Sequence, residues 1–356
     1  MANSLLKEIT ENGRLFIDSK DDVARQRTIA AASALIQELE NPGEQMARIG
    51  WAEPALVART LKHLAANGIV KEVGIDQYVG TSFSMATNDP TISAGLIYSF
   101  EGMIPTFQGL PEFLAKTKYQ APMDGNNGPV QYGLKTNKPF FGVLRDNPRL
   151  GSAFNDFMTG YAKARPRWVD FYPAAERLGS GSTSEQTRVL LVDVGGGVGH
   201  EILEMHKKHP NLPGQLILQD QPSVIDQANA SGNLPGAITA VAHDFFEPQP
   251  VEYHGARAYF MRLILHDWPD AKCAIILSHL RNAMVKGYSK LLINEAVLRD
   301  TGAPWQQTSL DWTMMGMLVS RERTESQWRE LLAGAGLKIS GIWHKDAESV
   351  IEAVLE

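Results

Sequence analysis

From residue 188 onward the chain alternates short, almost wholly apolar runs with segments of helical spacing. The runs are "RVLLVDV" (188–194), "QLILQD" (215–220), "ITAVAHDFF" (238–246), "RAYFMRLIL" (257–265) and "SKLLINEAVL" (289–298). A strand that is apolar at nearly every position is buried on both faces, and such strands alternating with helices build a parallel sheet. This half is therefore expected to be a doubly wound α/β domain. The first half has a different rhythm. Between Asp22 and Leu39, Val23, Ile29, Ala32, Leu35 and Ile36 recur at helical spacing among charges. Pro54 suits the first turn of a second helix and Asn67-Gly68 its end, and "KEVGIDQYVGT" reads as a hairpin turning between Gly74 and Asp76. Helix, helix, strand, turn and strand outline a winged helix. Residues 91–178 continue mainly helical, and "ERLGSGSTSEQTRVL" (176–190) has the Ser, Gly and Thr content of a boundary. The expected division is 1–178 and 179–356, each long enough to bury a core.

The 34 basic and 40 acidic residues leave a net charge of −6, and no block of like charges stands out. Phosphate neutralisation dominates nucleic-acid affinity, and Arg59, Lys62, His63 and Lys71 supply too little of it for the winged helix to be expected on DNA. Dimerisation is the preferred role. A single cysteine, Cys273, forms no internal disulfide and no zinc pair, so a reducing compartment and no structural metal are expected. The first residues are interrupted by charges every few positions, unlike a secretory or transit leader, and no apolar run has membrane-spanning length. A cytoplasmic protein is the expectation.

In open α/β sheets ligands lie beyond the carboxyl ends of the strands, and the first strand here runs into "GGGVG" (195–199) and then a helix-like run. A dinucleotide fingerprint would place its last glycine at 200, where this chain has His200. Glycines without Cβ admit a ligand close to the backbone, and the N–H groups opening the next helix favour a carboxylate as readily as a phosphate. The amino-acid end of S-adenosylmethionine fits that description. Asp220, ending "LILQD" about twenty positions on, suits the ribose hydroxyls. Asp244 and Phe245 after the third run suit an adenine amino group and its ring face.

At this point the chain resembles the small-molecule O-methyltransferases of plants and fungi, the caffeic acid type with an N-terminal winged-helix dimerisation domain. The stretches that carry the likeness run in order: "LVDVGGGVGH", "LILQDQPSVI", "AHDFFEPQP", "RLILHDWPDAKC", "LLINEAVL", "LDWTMMGM" and "RERTESQWRELLAGAGLK". "NGIVKEVGIDQYVGT" extends it forward, and residues 119–145 with "RPRWVDFYP" are closest to fungal members. The resemblance implies a Rossmann-like class I methyltransferase domain, a homodimer, no metal, and S-adenosylmethionine held by Asp193, Gly195, Gly197, Gly199, Asp220, Gln221, Asp244, Phe245 and Arg262. Arg262 stands where the family has Lys.

Methyl transfer from a sulfonium needs a positioned acceptor and removal of its proton. A phenol of pKa about 10 is mostly neutral at pH 7, so a base of near-neutral pKa helps. The resemblance makes His266 that base and places Glu295 and Glu322 beside it. Without it, His266 reads first as a capping or packing residue beside Asp267, and Glu322 as a surface charge. Met158, Met314 and Met315 are expected around a small aromatic or polyketide-like acceptor, while Phe157, Tyr161 and Trp168 could be pocket or core. Two alternatives remain: an S-adenosylmethionine-binding pericyclase or dehydratase of the same architecture, and a non-catalytic DNA-binding regulator, which the acidic balance disfavours.

Overall fold

The structure, a computed structural model, describes residues 2–39, 53–163, 165–179 and 189–356. It divides into two compact units at Pro90–Thr91. The first holds helices Ala2–Ser19, Asp22–Leu39 and Pro54–Ala66 and an antiparallel pair, β1 (Val70–Gly74) and β2 (Gln77–Gly80). Pro54 opens its helix and Asn67 caps it, with Gly68 left-handed at φ 71°. The hairpin turns through Ile75 and Asp76, where Asp76 takes φ 52°. Two details depart from the sequence reading. Residues 2–19 form a helix, and among the described side chains of Asp22–Leu39 Ala24 and Ala31 are buried, Ala32 and Leu35 are half-buried, and Val23 and Ile29 are exposed, while Ile36 lies outside the described side chains.

The second unit carries a seven-stranded sheet of order β10-β11-β7-β6-β3-β4-β5. The strands are β3 (Val189–Val194), β4 (Gln215–Asp220), β5 (Ile238–Ala242), β6 (Ala258–Arg262), β7 (Lys290–Glu295), β10 (Leu337–Lys345) and β11 (Glu348–Leu355). Five are parallel, and β11 runs antiparallel to β7 and β10. A short parallel pair, β8 (Val297–Leu298) and β9 (Arg323–Thr324), lies apart. Along β6, Tyr259 and Met261 face one core and Ala258 and Phe260 the other, so both faces of the sheet are covered.

The helices Pro90–Tyr98, Ile104–Lys116, Pro129–Leu134, Phe140–Asp146 and Pro148–Lys163 precede the sheet. The expected boundary at 178/179 therefore differs from the division observed at 90/91, because residues 165–179 are part of the sheet's own core. Trp168, fully buried, stacks on Phe260 at 4.5 Å, and Leu178 is equally buried. Polar contacts join the same parts. Glu352 on β11 accepts from Tyr172 (2.7 Å), Arg177 (2.5 Å), Lys290 (2.6 Å) and Ser340 (2.6 Å). Burial disfavours its charge, but these hydrogen bonds prevail and lower its pKa to about 2. The expected linker 176–190 lies largely outside the described residues. No described helix is long and apolar enough to cross a membrane.

Candidate active site

Strand order changes direction around β3, which has β4 on one side and β6 on the other, and a crevice opens beyond such a switch. Two turns border it: Gly195–Gly199 after β3 and Leu263–Asp267 after β6. Gly195, Gly197 and Gly199 all have positive φ, at 71°, 59° and 91°. Gly196 needs its missing side chain for another reason: a Cβ there would stand 2.5 Å from both Asp193 Cγ and Leu218 Cδ1. The loop is pinned by Gly195 N–H to Gln219 O (2.8 Å) and Gly197 N–H to Asp220 Oδ2 (2.8 Å).

A cavity of about 580 Å³ lies against this loop, lined by Asp193, Gly195–Gly197, Glu201, Arg262, Leu263 and Met158 among others. Arg262 donates to Glu201 Oε1 at 2.6 Å. Asp193 Oδ2 and Glu201 Oε2 are buried without partners, and burial with the charges of Glu201 and Asp220 raises Asp193 well above the usual carboxylate range. A partnerless oxygen on each of two buried carboxylates, beside an Arg side chain and bare loop backbone, suits a zwitterionic, cationic ligand, so the residues present fit the amino-acid end of S-adenosylmethionine. The other expected donor contacts sit beside this lining. Asp220 also accepts from Gln221 N–H (2.7 Å), and Gln221 is exposed. Asp244 is exposed and caps Phe246 N–H at 2.9 Å. Phe245 packs toward Gly195, 3.6 Å from where a Cβ would stand.

The second turn carries His266, buried, with Nδ1 2.8 Å from Glu322 Oε1. A carboxylate only accepts, so Nδ1 bears hydrogen, and Nε2 lies 3.4 Å from Asp267 Oδ1. Glu295 accepts from three successive N–H groups of the turn, Ile264 (3.1 Å), Leu265 (2.6 Å) and His266 (3.3 Å). Arg323, 1% exposed, donates to Leu265 O (3.0 Å) and Trp268 O (2.9 Å) from the other side. Burial opposes charge on His266, yet the hydrogen bond and charge of Glu322, with Glu295 and Asp267, raise its pKa to about 9. Burial pushes Glu295 up to about 7 and Asp267 to about 6, with His266 opposing both.

His266 and Asp267 line a second cavity of about 240 Å³ whose other walls are nearly all apolar or aromatic. Leu310, Thr313, Met314, Met317 and Leu318 supply one helical face, so Met314 lines it and Met315, a turn angle away, does not; Met317 takes the expected place. Met158 lines both cavities, as does Leu263, a non-glycine residue at φ 52°. Phe157 and Tyr161 line the second cavity, whereas Trp168 is core. Asp267, Arg323 and Glu201 were not anticipated, whereas Met317 belongs to the same methionine cluster as Met314 and Met315. The Arg of the Glu-Arg-Thr stretch was legible as part of a motif, while the others become site residues only through the fold.

An O-methyltransferase domain model matches residues 184–338. "Methyltransferase cfoC" of Aspergillus candidus is 38% identical over 87% of this chain and 76% of its own length. The solved structure of LepI in complex with SAM superposes with a TM-score of 0.75 at 30% identity, covering 100% of both chains. A structure described as a pericyclic reaction enzyme gives 0.75 at 29%, again over 100% of both. With a glycine-loop crevice suited to an adenosyl donor and a small-molecule cavity adjoining it, the chain belongs to the O-methyltransferase family and uses S-adenosylmethionine.

Proposed function

We propose that the protein methylates a phenolic hydroxyl of a small aromatic or polyketide-like metabolite, with His266 as the general base. The observation that carries this reading is the placement of His266: Nδ1 is held by Glu322, and the ring lines an aromatic cavity that shares Met158 and Leu263 with the glycine-loop cavity. When bound, S-adenosylmethionine supplies an electrophilic methyl group on sulfur. The chain's own part is to seat the acceptor between Met314, Met317 and the aromatic walls, exclude water, and take the hydroxyl proton at His266 Nε2. Glu322 orients the ring and stabilises the imidazolium that forms, while Glu295 and Arg323 fix the turn beneath it. Asp193, Gly195, Gly197, Gly199 and Arg262 are assigned to the donor's amino-acid end, Asp220 and Gln221 to its ribose side, and Asp244 and Phe245 to its adenine side.

His266→Ala is expected to lower methyl transfer by about 10² to 10⁴-fold with donor affinity retained, as radiolabel transfer to a phenol panel and donor titration would measure. Equal loss of both would make His266 structural. A second reading has specific support, because a His266 protonated at neutral pH is a hydrogen-bond donor, and one structural relative is described as a pericyclic reaction enzyme. Conversion of a polyene or quinone methide precursor with the donor left intact would select that reading.

We also propose a homodimer in the cytoplasm, built through the first compact unit. That unit exposes Leu6, Leu15, Ile17, Val73, Ile75 and Phe83, more apolar surface than its thin basic supply would turn toward DNA.

A further inference from the structure

The aromatic cavity has few polar groups, and their hydrogen-bonding capacity can be counted. Asp267, when ionised, only accepts. Thr313 already donates to Ser309 O at 2.9 Å within its own helix. Tyr161 accepts a hydrogen bond from Arg165, whose guanidinium lies 4.1 Å from the centre of its ring and also pairs with the buried Glu348. This anchors its oxygen and leaves its own O–H free, which is why Tyr161 is tested beside Tyr98. Tyr98 is different. It lines the cavity, is only 4% exposed, and makes no hydrogen bond among the described residues. Its ring is fixed from several sides, stacked on Phe157 at 5.8 Å and edge-on to Phe140 at 6.4 Å and Phe154 at 5.3 Å. A phenylalanine would make every one of those contacts. The chain leaves this hydroxyl without a partner but does not seal it from solvent, so it finds one inside the cavity, in water or in a bound ligand.

We propose that Tyr98 is a specificity-determining residue whose hydroxyl donates to a second, non-reacting oxygen of the acceptor, a carbonyl on a flat, uncharged ring system. This rests on the aromatic cavity being the acceptor site. Burial raises the Tyr98 phenol far above its usual range, so it remains a donor throughout the physiological pH span. The acceptor carries no anionic group, since the polar end of the cavity presents Asp267 with Glu322 and Glu295 behind His266, and carboxylates there repel a like charge. A cavity of about 240 Å³ with aromatic walls suits a flat acceptor of a few fused rings.

The test uses two matched probes, 2-hydroxyfluoren-9-one and 2-hydroxyfluorene, which differ in the carbonyl. Each is titrated calorimetrically into the full chain in the presence of the demethylated donor product, and methyl transfer to each is measured separately. Wild-type protein is expected to bind the ketone about tenfold more tightly than the hydrocarbon. Tyr98→Phe is expected to abolish that preference while leaving hydrocarbon binding and melting temperature unchanged or slightly raised. The proposal is overturned if the wild type shows no preference or binds neither probe. It is equally overturned if Tyr98→Phe keeps the preference, if Tyr161→Phe or Thr313→Val alone removes it, or if Tyr98→Phe melts lower, which would make the hydroxyl structural. A Tyr98-dependent preference in binding with no methylation of either probe leaves this inference standing and counts against the methyltransferase reading of the site.

Discussion

A histidine that is to remove a proton at neutral pH must first be free of one, and His266 has a pKa of about 9 beside three carboxylates. The charge of a bound sulfonium resolves the conflict in sign. A cation nearby disfavours the imidazolium, whereas the thioether product carries no such charge. In proton NMR titrations His266 is therefore expected to titrate near 9 with the thioether bound and at lower pH with the sulfonium or a cationic analogue bound; identical titrations would remove His266 from the reacting sulfur's neighbourhood. At this scale the sequence was informative where a motif was contiguous. His266 sits in an unbroken match, "RLILHDWPDAKC", but its contact with Glu322 spans 56 positions and is made only by folding. Met315 shows the opposite limit. Three methionines within four residues indicate a pocket helix but leave its rotation open, and one position is about 100° of turn.

Between elements, close approach is decided by missing side chains. Helix Pro129–Leu134 crosses helix Ile104–Lys116 with Gly133 against the Pro105–Thr106 backbone, where a Cβ would stand 2.5 Å from both Pro105 O and Thr106 Cα. Because backbone yields less than a flexible side chain, Gly133→Ala is expected to cost about 1–3 kcal/mol, read as a drop of several degrees in melting temperature. A melting curve like that of the wild type would show that the two helices separate freely. The parallel strands were legible because burial on both faces writes a continuous apolar run. β11 was not, for a physical reason: Glu348 and Glu352 interrupt it, and they are tolerable inside only because Arg165, Arg177 and Lys290 come from distant parts of the chain to meet them. Helix Ala2–Ser19 hid in a similar way, since the frequent charges that argue against a leader also supply its polar side.

For the whole molecule, composition bounded the possibilities without choosing between them. It weakened the case for DNA and left self-association open, and the apolar residues exposed on the first unit add a reason to expect it. Sedimentation velocity at working concentration is expected to give a species near twice the chain's 39.2 kDa, and a concentration-independent monomer would refute the dimer. The division at Pro90–Thr91 was not visible in composition, because the Ser- and Gly-rich stretch near 180 resembles a linker more than residues 90–91 do. One local feature has a consequence on the same scale. Met158 and Leu263 belong to the walls of both compartments, and Leu263 holds its place in a left-handed conformation that side chains rarely adopt. Whatever fills one compartment presses on the wall of the other. The affinities of methyl donor and acceptor are then expected to be linked, and by thermodynamic reciprocity each would alter the other's by the same factor.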